Sequence, residues 1–158
     1  MSAKDEFFRT VESNAKTQKE AEEDFKREVL AFQEDTKKLI LEIKEWFAGS
    51  PVTASVGTMQ VIENTDRFEV SNLTLKNGSK TLTINPEGFA YFGVTGCLKV
   101  SIHNPNRAPA TSKFSLHWKD GISKISGWVI VYGEGGNTPA QRVQFNQESF
   151  FTMIKEFA

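Results

Sequence analysis

The chain has 158 residues, of which 39% are hydrophobic and 25% are charged, and its formal net charge is −1 at pH 7. That length and composition fit one domain with a buried core. Nucleic-acid-binding proteins usually carry a basic excess that neutralises phosphates, so the near-neutral charge predicts no nucleic-acid partner.

The single cysteine, Cys97, excludes an intrachain disulfide and favours a reducing compartment. The first residues lack the apolar stretch of a secretory signal. No apolar run reaches the roughly 18 residues that a membrane span needs. We therefore expect a cytoplasmic protein with no membrane partner.

The first predicted element is a long amphipathic helix. Ser2 is expected to cap its start, and Gly49 followed by Pro51 to end it. The residues on one face of the helix, here called the seam, are spaced alternately three and four positions apart. This is the spacing of a heptad repeat. The seam consists of Phe8, Val11, Ala15, Gln18, Glu22, Phe25, Val29, Phe32, Thr36, Leu39, Ile43 and Trp46.

Polar residues within the seam leave two descriptions of this helix open. It is either one continuous helix, or a short helix at 4–13 joined through a hinge near 14–17 to a long helix at 17–47. A continuous helix of ~40 residues would be ~60 Å long, too long for one compact sheet to cover.

From Val52 onward the spacing of apolar residues is that of strands, separated by turn residues. Alternation along the strands predicts one covered and one solvent-facing side of an antiparallel sheet. The predicted strands are Val52–Ile62, Arg67–Leu75, Lys80–Ile84, Phe89–Phe92, Cys97–Ile102, Lys113–Trp118, Gly127–Tyr132 and Gln141–Phe145.

One turn carries the clearest local signal. The pair Asn77-Gly78 predicts a two-residue hairpin loop, which would set Leu73 opposite Leu82. The tripeptide Pro86-Glu87-Gly88 predicts a second turn.

A short helix is predicted at the end of the sequence, with Asn146 as its N-cap and with Phe150, Ile154 and Phe157 on one face. The predicted class is therefore α+β: a long N-terminal amphipathic helix or helix pair, an antiparallel meander of six to eight strands or a partly open barrel, and a short C-terminal helix. We expect a helical segment at 1–49 and a β domain at 50–158, together forming one folded unit.

The residues that carry chemistry are sparse. Cys97, His103 and His117 are the only set that suggests a nucleophile and a base, and the surroundings of Cys97 are typical of a buried strand cysteine. A zinc site needs three or four ligands, which two histidines without spaced cysteines do not supply. The sequence therefore predicts no catalytic residue, no metal and no cofactor.

The leading functional prediction is a non-catalytic protein–protein interaction module, binding another protein or a second copy through the seam and through exposed aromatic residues. Surplus aromatic residues and the long heptad pattern favour it. The predicted partner-binding residues are Phe8, Val11, Phe25, Val29, Phe32, Phe89 and Tyr91.

Two alternatives remain open. One is a small-ligand or lipid-binding barrel with a cavity lined by Phe92, Phe114, Trp118 and Trp128. The other is an enzyme in which His103 or His117 meets Cys97 or a carboxylate.

The predicted number of strands, followed by a helix, resembles a pleckstrin-homology-like barrel. The basic loop residues of its phosphoinositide-binding members are missing from the region between Val52 and Phe68. In size, charge and helix-plus-sheet content the chain is also similar to bacterial immunity proteins and secretion chaperones, which would be concrete versions of the interaction module. These likenesses concern architecture, and architecture does not carry function.

Overall fold

The structure, a computed structural model, describes residues 2–63, 66–91, 94–133 and 139–158, except for the side chains of 89–91, 94 and 95. The chain divides into two compact units. The first extends to Phe32, and the second is Gln33–Ala158.

Helix α1 (Ala3–Trp46) is one continuous helix, so residues 14–17 lie within it and not at a hinge. Its start is capped as predicted, because the Asp5 N–H donates to Ser2 Oγ at 3.2 Å. Asp5 and Glu6 occupy its first turn, where the helix dipole favours negative charge. After the helix, Gly49 takes a φ of 80°, a backbone conformation that glycine adopts without strain.

Seven strands follow, and each pairs antiparallel with the next along the chain, which gives an open sheet in the order β1 to β7. The predicted α+β class and the antiparallel meander are confirmed. The strands are β1 (Thr53–Glu63), β2 (Asp66–Asn77), β3 (Lys80–Tyr91), β4 (Val94–His103), β5 (Thr111–Asp120), β6 (Trp128–Tyr132) and β7 (Gln141–Gln144).

The predicted register of the hairpin formed by β2 and β3 is wrong. Asn77 pairs with Lys80, so Leu75 lies opposite Leu82, and Leu73 lies opposite Ile84. The loop is Gly78-Ser79, with a positive φ at Gly78 alone, as in a type II′ turn.

The turn predicted at Pro86-Glu87-Gly88 is also wrong. Strand β3 runs through it, and the pairing with β4 shifts between Pro86 and Gly88 as in a β-bulge. The residue left without a partner on β4 is Glu87, and the neighbouring proline fits because prolines within sheets occur at bulges. Two predicted strands are therefore one.

One face of the sheet forms the core of the second unit. It contributes fully buried leucine, isoleucine and valine side chains from β2 to β6. The part of α1 after Phe32 covers this face with Leu39, Ile40 and Ile43, all buried. Gln33 Nε2 donates to the Glu69 carbonyl at 2.9 Å and joins this part of α1 to β2.

The C-terminal helix α2 (Gln147–Met153) begins as predicted at Asn146. The Ser149 N–H donates to Asn146 Oδ1 at 2.8 Å, and the Asn146 N–H donates back to Ser149 Oγ at 2.9 Å. A 3₁₀ turn at Lys155–Phe157 follows. Phe150 and Phe157 are buried and lie within ring-contact distance of Trp46 and Phe47, respectively.

Candidate interaction surface

The first half of helix α1 is exposed on every side. Each residue from Ser2 to Asp24 is exposed. Three of them are large apolar side chains: Phe7, Phe8 and Val11 are 63%, 51% and 47% exposed. Phe8 and Val11 are successive seam positions, so the seam begins with an apolar patch that the chain itself does not cover.

The remaining predicted binding residues have different surroundings. Phe25 is half-buried, and Val29 and Phe32 are buried. A side chain buried within its own chain is not available to a partner. The candidate surface therefore keeps Phe8 and Val11 but loses Val29 and Phe32. The side chains of Phe89 and Tyr91 lie outside the described residues.

The sheet places two members of the candidate catalytic set side by side. Cys97 pairs with His117 on the neighbouring strand. His103 is at the far end of β4, where its Nδ1 lies 3.2 Å from Thr111 Oγ1. The Cys97 thiol is buried and donates to Glu87 Oε2 at 3.4 Å. Its burial, and then the charge of Glu87, raise the pKa of Cys97 to about 12. The thiol therefore stays protonated at neutral pH, which argues against its acting as a nucleophile.

The last residue of strand β5 is Asp120, a buried carboxylate that was not a predicted site residue. Asp120 accepts from Arg142 Nε at 3.1 Å and from the Ile122 N–H at 3.3 Å, and it lies 4.0 Å from His117 Nδ1. Burial alone would raise the pKa of Asp120. The hydrogen bonds from Ser123 and Ile122, with the charges of Arg142 and His117, outweigh burial and lower it. These hydrogen bonds and charges favour the ionised carboxylate, so Asp120 has a structural role in the interior of the sheet domain.

The residues named for a ligand cavity differ in burial, although Trp118 and Trp128 are paired across β5 and β6. Phe114 and Trp118 are buried in the core, whereas Trp128 is half-buried and lines an open groove of about 520 Å³. Asp35, Leu39, Trp46 and Phe145 line the same groove. Phe92 lies outside the described residues.

Strand β1 forms one edge of the sheet and is exposed along most of its length. Val56, Met59 and Ile62 are among its exposed side chains. Its residues carry no charge before Glu63, although natural edge strands often use charges to prevent further pairing. This exposed edge was not among the surfaces predicted from the sequence. The available signal was that the first strand of a meander lies at an edge.

Within 2–63, 66–91, 94–133 and 139–158, no three His, Cys, Asp or Glu side chains are grouped as a metal ion requires. None of the helices in the described part of the chain is long and apolar enough to cross a membrane.

Comparison with known proteins finds no matching family model, no matching curated protein and no matching solved structure. Any functional conclusion must therefore come from the surfaces described above.

Proposed function

We propose that this chain is a non-catalytic, cytoplasmic protein–protein interaction module that binds through the first half of α1, residues 2–24. The observation that carries the proposal is the exposure of this entire segment, including Phe8 and Val11 on the seam.

Physical chemistry explains why an uncovered seam favours a partner. In proteins, most helical stability comes from packing an apolar face, and helices without packing are marginal in water. Burial of a phenylalanine or valine side chain contributes about 1.5–3 kcal/mol. A partner that covered Phe8 and Val11 would therefore gain affinity and stabilise the segment at once.

The proposal is tested with two matched double variants of the full chain. Phe8→Glu with Val11→Glu adds two charges to the seam. Thr10→Glu with Ser13→Glu adds the same charges to the same helical region, at exposed positions outside the seam. Self-association is measured by sedimentation velocity, and capture of partners from host lysate by affinity pull-down, with circular dichroism to verify helix content.

We expect the seam variant to lose association by about tenfold or more, since one buried side chain accounts for at least that factor. The control variant should associate like the native chain. Equal association of all three chains, or no association of the native chain with itself or with any protein, would contradict the proposal.

A further inference from the structure

The charged residues on one flank of the seam are ordered along the helix. Up to residue 26, the flank consists of the residues that directly follow every second seam position from Val11 onward, together with Asp5 one heptad before Glu12. In chain order they are Asp5, Glu12, Lys19 and Lys26, two acids followed by two bases, and all four are exposed. In heptad terms they occupy the e positions, which face a partner helix beside the core.

This order is self-complementary when two copies of the helix run antiparallel. In that orientation the e positions of one helix face the e positions of the other. The first e residue of one copy then lies beside the last e residue of its partner. Asp5 then faces the partner's Lys26, and Glu12 faces the partner's Lys19. Symmetry repeats both pairs, which makes four ion pairs without a like-charge contact.

The same register aligns the seam residues. Phe8 meets the partner's Phe25, Val11 meets the partner's Glu22, and Ala15 meets the partner's Gln18. The two aromatic layers therefore lie at the ends of the contact, with smaller and polar layers at its centre. Glu22 is the one charged residue among these seam layers, and burial of its carboxylate against the partner's Val11 would be unfavourable. Its side chain is long enough to extend past Val11 and keep the carboxylate in water.

Other arrangements lose this match. A shift of one heptad in either direction places Glu12 against the partner's Glu12, or Lys19 against the partner's Lys19. In a parallel pair, Glu22 meets the partner's Glu22. In the same parallel pair, Lys19 faces the partner's Asn14, which carries no charge. Only the first antiparallel register uses all four charges attractively.

We propose that the partner is a second copy of this chain, and that residues 5–26 of the two copies form an antiparallel helix pair in which Glu12 faces the partner's Lys19 and Asp5 faces the partner's Lys26. This inference rests on the proposed function and adds to it the partner, the orientation and the register. The contact from Asp5 to Lys26 spans about 33 Å at 1.5 Å per residue.

The test uses two single charge reversals in the full chain, Glu12→Lys and Lys19→Glu. Each reversal turns two attractive pairs into two repulsive ones, so each variant alone should dimerise about tenfold more weakly than the native chain. An equal mixture of the two variants should recover the native affinity. In the mixed dimer every 12–19 contact again joins opposite charges. Dissociation constants come from sedimentation equilibrium at low salt, where exposed pairs are least screened.

Recovery in the mixture supports the register and cannot arise from an effect within one chain, since neither variant recovers alone. Dimers that both reversals leave unchanged would overturn the register. A native chain that stays monomeric at every concentration would overturn the inference of a second copy. Failure of the proposed function is a separate result. It requires that the Phe8→Glu/Val11→Glu chain both self-associates and captures proteins from lysate as the native chain does.

Discussion

Trp118 donates its indole N–H to Asp35 at 2.9 Å and thereby joins strand β5 to the part of helix α1 that covers the sheet. Trp118 is buried and Asp35 is half-buried. The hydrogen bond satisfies the indole N–H of a buried tryptophan.

Replacing Asp35 tests the importance of this bond. We expect Asp35→Ala to lower the free energy of unfolding by about 1–3 kcal/mol, because a buried donor loses its acceptor. Glu34→Ala, at the exposed neighbouring position, should change it by less than about 0.5 kcal/mol. Urea denaturation followed by tryptophan fluorescence measures both, and equal effects would show that the bond contributes nothing.

The buried carboxylate of Asp120 should make stability depend on acid. Its pKa is lowered in the folded chain, so the unfolded chain binds more protons as pH falls, and the stabilisation is lost below the ordinary carboxyl value. Asp120→Asn removes the charge that pairs with Arg142 and should cost about 2–3 kcal/mol at pH 7. Measured by urea denaturation, the difference from the native chain should shrink by pH 3. A difference that stays constant between the two pH values would refute this assignment.

The thiol of Cys97 should be inert in the folded chain. Its pKa of about 12 and its burial leave almost no accessible thiolate at pH 8. We expect iodoacetamide to label it only after unfolding in guanidinium chloride, with mass spectrometry as the readout. A Thr10→Cys chain supplies an exposed thiol as the control. Native Cys97 that reacted as fast as the introduced cysteine would contradict the prediction.

The side chain of Asn77 connects the hairpin of β2 and β3 to the C-terminal 3₁₀ turn, because Nδ2 donates to the Phe157 carbonyl at 2.7 Å. Asn77→Asp keeps the size and removes the donor, so it should lower the free energy of unfolding by about 1–2 kcal/mol. Ser79→Asp adds the same charge at an exposed loop position and should change it by less than about 0.5 kcal/mol. Chemical denaturation of the two variants decides the matter: indistinguishable values would mean that the Asn77 bond is dispensable.

The error at this hairpin shows what periodicity does not determine. The predicted pairing of Leu73 with Leu82 and the observed pairing of Leu75 with Leu82 differ by two residues. Such a shift keeps every side chain on its own face, so the alternation of apolar residues fits both registers. The bond from Asn77 to Phe157 accompanies the observed register, and that contact is distant in sequence.

The seam of α1 shows a second limit. Its regular spacing predicted the long helix and its apolar face, and the helix is confirmed. Spacing does not specify what covers a face, however. Leu39 and Ile43 are buried, whereas Phe8 and Val11 on the same seam are exposed. The seam and the aromatic residues thus predicted a binding surface, and the structure shows which of the predicted residues are exposed.

The order of the elements also bears on synthesis at the ribosome. Each strand pairs with the one made just before it, so the sheet can grow as the chain emerges. Trp46 and Phe47 are made before the first strand, yet their ring partners Phe145, Phe151 and Phe157 follow only after the last one. Trp46 and Phe47 therefore lack these ring partners until the whole sheet has been synthesised. During that interval their rings can bind chaperones or take part in misassembly.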